Sequence, residues 1–375
     1  MKRLVLAVCL LLAATKAFAA DNQAYLGIFA ATKVSRMAGM PAMPALPPGM
    51  DMSKMPGMSM LSGAPERMLE VRLWSPSIAP PEALAYIAPP AGLKQGQRLD
   101  LGIYRPEPEK AAGPGEFNPD AMPDFTIKLY WGSSDTVKPG QPKLIRWQGL
   151  TAEQKGQLRK EAARSPKAGS YFYKPDWTTA YWPTEKQPGK ISKDASLIGN
   201  YALTTNYTGN VALDAPPNVE FLAPIELSSP RLEAPVPLEP AIHFAWKPIP
   251  NALGLHAAIF GMEGKSTMVM WSSSEVYTPE AMSADWGYLE MAQVLEYVNS
   301  TVMMKGDRAS VAVPAGIFAN CDMAMFNMVG YGPGAALPEG QPLPRIQTKT
   351  TLNVMLGGKA MAGMGAMGGE GAPAE

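Results

Sequence analysis

The stretch that decides the fold is residues 241–271, AIHFAWKPIPNALGLHAAIFGMEGKSTMVMW. Its first six residues alternate in polarity and end at Trp246, which is typical of a half-buried strand. KPIPNA then breaks the strand, because two prolines and an asparagine favour a turn. Two further strand-like runs, 255–260 and 267–271, flank GMEGKS, whose two glycines suit a hairpin turn. The stretch therefore predicts three consecutive β-strands.

Alternating runs recur outside this stretch, at residues 68–74, 99–104 and 125–131. Long helices are disfavoured, because the 375-residue chain contains 38 prolines and 35 glycines and both residues weaken or break helix interiors. A chain of this length usually forms about two domains. We therefore predict a mainly β protein built from two sandwich-like domains.

Two short helices are expected within this β-rich chain. The first follows Thr151, because Gln154 stands at capping-box spacing from it, and continues to about Arg164. The second spans 285–299 and is amphipathic. The residues that fall near one face of this second helix are Trp286, Leu289, Ala292 or Gln293, Leu295 and Val298.

The order of elements in residues 241–271 resembles the second and third strands of fibronectin type III-like sandwiches. The resemblance implies that Trp246 is a core residue and that the second domain has this fold. It implies nothing about function. A proline-rich connector over 224–250 places the domain boundary, so we predict a first β-rich domain at 66–222 and a second at 223–347.

The two ends of the mature chain are rich in methionine, proline and glycine. Residues 37–60 read MAGMPAMPALPPGMDMSKMPGMSM, and the tail from Gly357 has the same character. Such composition cannot maintain a helical or strand period. We therefore predict a disordered arm at 20–65 and a disordered tail at 348–375.

The first 19 residues have the layout of a cleaved secretory signal. Lys2 and Arg3 precede an apolar run over 4–14, and Ala17-Phe18-Ala19 offers small residues where signal peptidase cuts. The apolar run is too short to span a bilayer, which takes about 20 residues. Charges or prolines interrupt the later apolar segments. We predict a soluble periplasmic protein without a membrane span, with secretion beyond the envelope left open.

The net charge and the cysteine content of the mature chain bear on nucleic-acid binding and on disulfide formation. Cleavage removes three basic residues and no acid, so the formal charge goes from zero to 30 − 33 = −3. That near-balance gives no electrostatic reason to expect nucleic acid as a partner. Cys321 is the only cysteine left, which excludes an intramolecular disulfide. Its apolar sequence neighbourhood favours a buried thiol.

Several segments together resemble a group of exported proteobacterial proteins that have no assigned activity. The resemblance covers most of residues 66–340. It implies export and a β fold, and it carries no functional residue. The segments are YWGSSDTVKPGQP (130–142), FLAPIELSS (221–229), WKPIPNALGLHAAIFG (246–261), MVMWSSSE (268–275) and VGYGP (329–333).

The arm contains the sharpest chemical pattern in the sequence, a set of methionines two or three residues apart. These are Met50, Met52, Met55, Met58 and Met60. Soft thioethers select Cu(I), and a set of them can bind it without a preformed fold. Histidine is absent from both Met-rich ends, which disfavours Cu(II). The alternatives are an unstructured arm or a surface that docks a partner.

A cluster of aromatic residues offers a second candidate site, for carbohydrate. Flat rings can stack on sugar faces, and an envelope protein meets polysaccharide. The same rings can equally be structural packing. The candidate stacking residues are Tyr173, Trp177, Tyr181 and Trp182.

No catalytic constellation is visible in the sequence. His243 and His256 alternate against apolar strand neighbours, so we expect both to face away from the core and into solvent. The serines at 133–134 and 272–274 lack the Gly-x-Ser-x-Gly context of a nucleophile. GMEGKS has the wrong glycine spacing for a phosphate loop. A hydrolase is therefore the minority hypothesis.

From these observations we predict a non-enzymatic periplasmic binding or structural protein without a resident cofactor. The alternatives are a Cu(I)-handling protein that uses the arm and a carbohydrate-binding envelope protein. Its partners would be an envelope protein or a polysaccharide. The sequence leaves the oligomeric state open.

Overall fold

The computed structural model describes residues 24–39, 63–106, 125–156, 176–189, 191–278, 280–282, 287–321, 323–336 and 345–357. Within these ranges the protein is mainly β, as predicted. The strands in chain order are β1 (Tyr25–Met37), β2 (Glu66–Ser75), β3 (Ala85–Ala88), β4 (Leu99–Asp100), β5 (Gly102–Tyr104), β6 (Thr126–Trp131), β7 (Lys143–Arg146), β8 (Thr178–Trp182), β9 (Gly199–Thr205), β10 (Val211–Ala215), β11 (Leu227–Ser229), β12 (Ile242–Trp246), β13 (Gly254–Glu263), β14 (Thr267–Ser272), β15 (Met304–Lys305), β16 (Ser310–Val313), β17 (Met323–Tyr331), β18 (Ala335–Ala336) and β19 (Arg345–Gly357).

Twelve of the described strands form one large sheet. Its order is β5-β8-β2-β1-β19-β17-β13-β14-β6-β7, with β15 pairing β13 and β18 pairing β19. Two small sheets, β10-β9-β3-β4 and β11-β12-β16, complete the strand content of the described residues. We call the side of the large sheet that packs on the small sheets its inner face, and the opposite side its outer face.

Each small sheet encloses a separate core against the inner face. The first core lies under β10-β9-β3-β4 and includes Leu69, Val71 and Tyr201. The second lies under β11-β12-β16, where Phe244 stacks on Phe326 with ring centroids 4.0 Å apart. Two sandwich-like halves therefore exist, as predicted. In the second half, β12 lies in the small sheet and the β13–β14 hairpin in the large one, which fits the expected fibronectin type III-like order.

Trp246 is a core residue, as the resemblance implied. Its side chain is 3% exposed, and its indole Nε1 donates a hydrogen bond to the Arg308 carbonyl oxygen at 2.9 Å. A buried indole N–H usually makes such a hydrogen bond, because an unpaired one costs free energy. This hydrogen bond connects the end of β12 to Arg308, which lies two residues before β16.

The predicted arm and tail boundaries are wrong at both ends. Residues 25–37 form β1 and residues 345–357 form β19, and these two strands lie side by side in parallel at the centre of the large sheet. Alternating side chains of β1, including Leu26 and Ile28, are fully buried. Composition alone suggested an arm, but this alternation makes the segment a strand. Residues 40–62 and 358–375 lie outside the described ranges.

The predicted domain boundary is also too simple. Strands β6 and β7 lie within the predicted first domain, yet β6 pairs in parallel with β14 and joins the second half. Strands β1 and β19 serve both cores, because Leu26 and Ile346 belong to the first and Val34 and Leu352 to the second. The two halves are therefore fused through one continuous sheet.

Both predicted helices are present in the described ranges, and the predicted continuation of the first from residue 157 to Arg164 lies outside them. Thr151 and Gln154 form the expected reciprocal capping box, with N···O distances of 2.9 and 3.2 Å, and residues 152–156 are helical. The second helix, α1 (Met291–Asn299), starts six residues later than predicted, because Glu290 has an extended backbone.

The side of α1 that packs on the protein also differs from the prediction. Val294 and Tyr297 pack on the protein, whereas Leu295 is 43% exposed. Leu289 and Val298 pack as expected, and Trp286 lies outside the described ranges. Three short 3-10 turns, Ala91–Leu93, Trp147–Gly149 and Glu280–Met282, complete the described helical elements. None of the helices in the described ranges is long and apolar enough to cross a membrane.

Candidate functional site

The outer face of the large sheet carries a pocket, which we call the outer pocket. It has a volume of about 590 Å³. Odd-numbered residues of β1 point to this side, because the even-numbered ones fill the two cores. The strands β1, β2, β13, β17 and β19 all contribute to the lining.

Aromatic and methionine side chains form the apolar part of the outer pocket. Phe29 packs on Tyr288 with ring centroids 4.7 Å apart, and on Trp74 at 6.2 Å. Phe260 and Met325 extend the lining toward β13 and β17. Such a surface binds the apolar body of a ligand by removing it from water.

Two lysines give the outer pocket a positive character. Lys349 Nζ donates to the Gly287 carbonyl oxygen at 3.0 Å and lies 4.2 Å from the centre of the Tyr288 ring. Lys33, two residues from Ala31 on β1, is exposed at the same pocket. The carboxylate that also lines the pocket, Glu70, accepts a hydrogen bond from Arg72 at 3.1 Å. Arg72 therefore balances the Glu70 charge and leaves the lysines to attract an anion.

A row of methionines crosses the outer face beside this pocket. Met37 pairs with Met355, which pairs with Met325, so three neighbouring strands each place a thioether at the same level. The row continues through Phe260 to Met270. All five side chains are partly exposed.

The methionines predicted to bind copper, Met50, Met52, Met55, Met58 and Met60, lie outside the described ranges, as does Tyr173. Trp177 and Trp182 are buried, at 5% and 1% exposure. Trp177 stacks on Tyr25 at a centroid distance of 5.8 Å.

Tyr181 has a partly exposed side chain, and neighbouring strands already contact its ring. Tyr104 stacks on it at 4.6 Å, and the Arg72 guanidinium lies 5.1 Å from its centre. The described members of the aromatic cluster therefore make their ring contacts within the protein.

The prediction of a solvated His256 is wrong. Its side chain faces away from the sandwich core, as expected, but the turn Glu280–Met282 covers it and leaves 2% exposed. Burial lowers the pKa of His256 to about 4, and the hydrogen bond with the Ala281 carbonyl opposes this shift only in part. His243 on β12 is exposed, as predicted, with its Nε2 3.5 Å from Asp135 Oδ1.

His256 and Ser272 are close together without forming a catalytic pair. The imidazole Nε2 lies 3.0 Å from Ser272 Oγ and 3.1 Å from the Ala281 carbonyl oxygen. A carbonyl oxygen only accepts hydrogen bonds, so Nε2 must carry the hydrogen. It therefore cannot take a proton from Ser272, as a general base must.

The remaining sequence candidates have structural roles. GMEGKS forms the turn of the β13–β14 hairpin, with Gly264 in the left-handed region at a φ of 59°. Cys321 is buried and not in a disulfide. In the described part of the chain, no group of three His, Cys, Asp or Glu side chains could hold a metal ion.

Comparison with known proteins adds nothing to this geometry, since no family model, curated protein or solved structure matches the chain. The site therefore has to be interpreted from its own residues. Sequence reasoning missed Lys33, Met37, Lys349 and Met355, because their segments were assigned to the arm and tail by composition. The alternation YLGIFAATKVSRM at 25–37 was the signal that could have found the first two.

Proposed function

We propose that this chain is an exported, non-enzymatic binding protein of the bacterial envelope, and that its ligand is an amphipathic anion held in the outer pocket. The observation that carries the proposal is the pocket itself, in which an aromatic and methionine lining meets Lys33 and Lys349. The secretory signal predicted for residues 1–19 supports the periplasm as the location.

The chemistry of the lining selects the ligand class. Each ~100 Å² of apolar ligand surface buried against Phe29, Phe260 and Met325 contributes about 2.5 kcal/mol. An uncharged ligand would gain only this contribution, whereas a carboxylate or sulfonate would also pair with a lysine at the rim. An exposed ion pair of this kind is worth up to about 1 kcal/mol. Affinity is therefore expected to come from apolar burial, and charge preference from the lysines.

A binding role is supported over an enzymatic one by the state of the groups that could do chemistry. His256 is the titratable imidazole at this pocket, and its Nε2 proton is committed to a carbonyl oxygen. Ser272 is fully buried. Ser272 does not line the outer pocket, and His256 Nε2 is hydrogen-bonded inside the protein, so neither Ser272 Oγ nor His256 Nε2 is positioned to act on a ligand there.

Two dyes of matched shape test this proposal. Anilinonaphthalene sulfonate carries an anionic group, and N-phenylnaphthylamine is its uncharged parent. We expect both dyes to bind the folded chain at one saturable site. Lys33→Gln is expected to weaken the sulfonate about fivefold, which corresponds to roughly 1 kcal/mol, and to leave the parent dye unchanged.

Two further variants control the dye experiment. Lys265→Gln removes an exposed lysine from the β13–β14 turn, outside the pocket, and should change neither affinity. Thr351→Trp fills the pocket from β19 and should abolish binding of both dyes while the chain stays folded by circular dichroism. Failure of the folded wild-type chain to bind either dye, or unchanged binding in Thr351→Trp, would contradict the proposal.

A further inference from the structure

The methionines of β1, β17 and β19 form a compact cluster at one end of the outer face. Met37 and Met355 are register partners across the parallel β1–β19 pair, and Met355 and Met325 are partners across the antiparallel β17–β19 pair. Side chains on directly paired positions have Cβ atoms roughly 5 Å apart. We call these three residues the methionine triad.

The triad encloses a space of atomic size. A cavity of about 10 Å³ is lined by all three methionines together with Ser35, Arg36, Asn353 and Val354. Arg36 and Val354 are even-numbered positions of β1 and β19 whose side chains point to the inner face. This volume is close to that of a single small sphere such as a water molecule or an ion. The three side chains are neither fully buried nor fully exposed, so an ion could enter from solvent and still lose much of its hydration.

Local strand geometry supports the convergence of the triad. The register of β17 against β19 shifts between Ala324 and Met325, which places a β-bulge directly beside Met325 and Met355. Bulges increase the local twist and re-aim neighbouring side chains. Methionine has three rotatable bonds, so modest rotamer changes can bring three sulfurs to one point.

The donor set determines which ion fits. Thioethers are neutral and soft, and they select Cu(I) over the hard or borderline divalent cations. Zinc prefers thiolate, imidazole and carboxylate ligands, and calcium and magnesium need several oxygens. The side chains that line the cavity include no carboxylate, imidazole or thiol.

We propose that Met37, Met325 and Met355 form a Cu(I) site on the folded sheet. The site is separate from the arm methionines at 50–60, and it does not depend on the proposed function. Met325 and Asn353 line both the triad cavity and the outer pocket. The two sites are therefore neighbours on one face, with different ligand chemistry.

Anaerobic competition for Cu(I) against bicinchoninate tests this site in the full mature chain. The test variant replaces all three triad residues, Met37→Leu, Met325→Leu and Met355→Leu, because leucine keeps the volume and removes the sulfur. We expect the wild-type chain to withdraw one equivalent of Cu(I) from the chelator, and the triad variant to bind at least tenfold more weakly.

Two matched variants identify the responsible methionines. The first replaces Met262, Met268 and Met270 with leucine. These three methionines lie on the same outer face, away from the triad cavity. The second replaces the arm methionines with leucine, at Met50, Met52, Met55, Met58 and Met60. Both should bind Cu(I) as tightly as the wild-type chain.

Three results would overturn the proposed Cu(I) site. These are no Cu(I) withdrawal by the wild-type chain, a loss confined to the arm variant, and similar partial losses in all three variants. An unchanged melting temperature shows that each variant is folded. Binding of the sulfonate dye is measured on the same samples, so that failure of the triad and failure of the outer pocket are distinguished.

Discussion

His256 shows how one covering turn changes the chemistry of a side chain. Its position on β13 points it to the outer face, where a strand histidine would ordinarily be solvated. The turn at Glu280–Met282 places the Ala281 carbonyl oxygen 3.1 Å from Nε2 and excludes water. Burial disfavours the charged imidazolium, so His256 stays neutral well below its ordinary titration range.

This burial predicts a pH dependence of stability. Because the folded pKa of His256 is about 4 and the unfolded value is about 6.5, the unfolded chain takes up a proton first as the pH falls. Its contribution to the unfolding free energy is therefore present above about pH 6.5 and is lost toward pH 4. The loss between pH 8 and 5 should be about 2 kcal/mol.

Urea unfolding at several pH values measures this effect. His256→Gln keeps a donor for the Ala281 carbonyl but does not titrate, so its unfolding free energy should change less between pH 8 and 5 than that of the wild-type chain. Equal slopes in the two proteins would mean that His256 is protonated in the folded state.

At the scale of elements, the β1–β19 pair contains two buried threonines between the two cores. Thr32 and Thr350 are register partners on the inner face, with 2% and 0% exposure. Thr32 Oγ1 donates to the Leu222 carbonyl oxygen at 2.7 Å. Thr350 Oγ1 is buried without a hydrogen-bond partner among the described residues. The two hydroxyls therefore contribute differently to the unfolding free energy, although their positions in the paired strands are equivalent.

The same substitution at the two threonines should have opposite effects. Thr32→Val leaves the Leu222 carbonyl oxygen without its donor and should lower the unfolding free energy by about 1–2 kcal/mol. Thr350→Val replaces an unsatisfied hydroxyl with a methyl group of similar size and should be neutral or stabilising by up to about 1 kcal/mol. Urea unfolding of both variants at pH 7 provides the comparison. Equal destabilisation of the two would show that packing, not hydrogen bonding, sets the cost.

At the scale of the whole molecule, β1 and β19 make the two sandwiches interdependent. Ile346 of β19 belongs to the first core, and Leu352, Val354 and Leu356 belong to the second. Both strands also lie between the halves of the large sheet, so removing either exposes two strand edges at once. Loss of one strand should therefore unfold both halves.

Truncation tests this interdependence. A chain of residues 20–357 keeps β19 and should unfold in one calorimetric transition, because the two cores share strands. A chain that ends at Pro344 lacks β19 and should lose cooperative unfolding altogether. Two separate transitions in the longer chain, or a native-like transition in the shorter one, would show that the halves fold independently.

Local patterns allowed much of the fold to be predicted. The capping box at Thr151 and Gln154, the β13–β14 hairpin and the core role of Trp246 all follow from spacing over a few residues. Neither the outer pocket nor the methionine triad could be predicted in this way. Phe29 and Lys349 of the outer pocket come from β1 and β19, at opposite ends of the described chain. Met37, Met325 and Met355 are far apart in the chain, and only strand order and register bring them together.

By itself the sequence determined the strand-rich class, the hairpin at 254–272 and the side of β13 to which His256 points, because alternation and turn residues act locally. The tertiary structure decided that residues 25–37 and 345–357 pair at the centre of one sheet. It also decided that His256 is covered, and that lysines and methionines from distant segments share one outer face. Those outcomes depend on which strands become neighbours, which is set by the packing of two cores against one sheet.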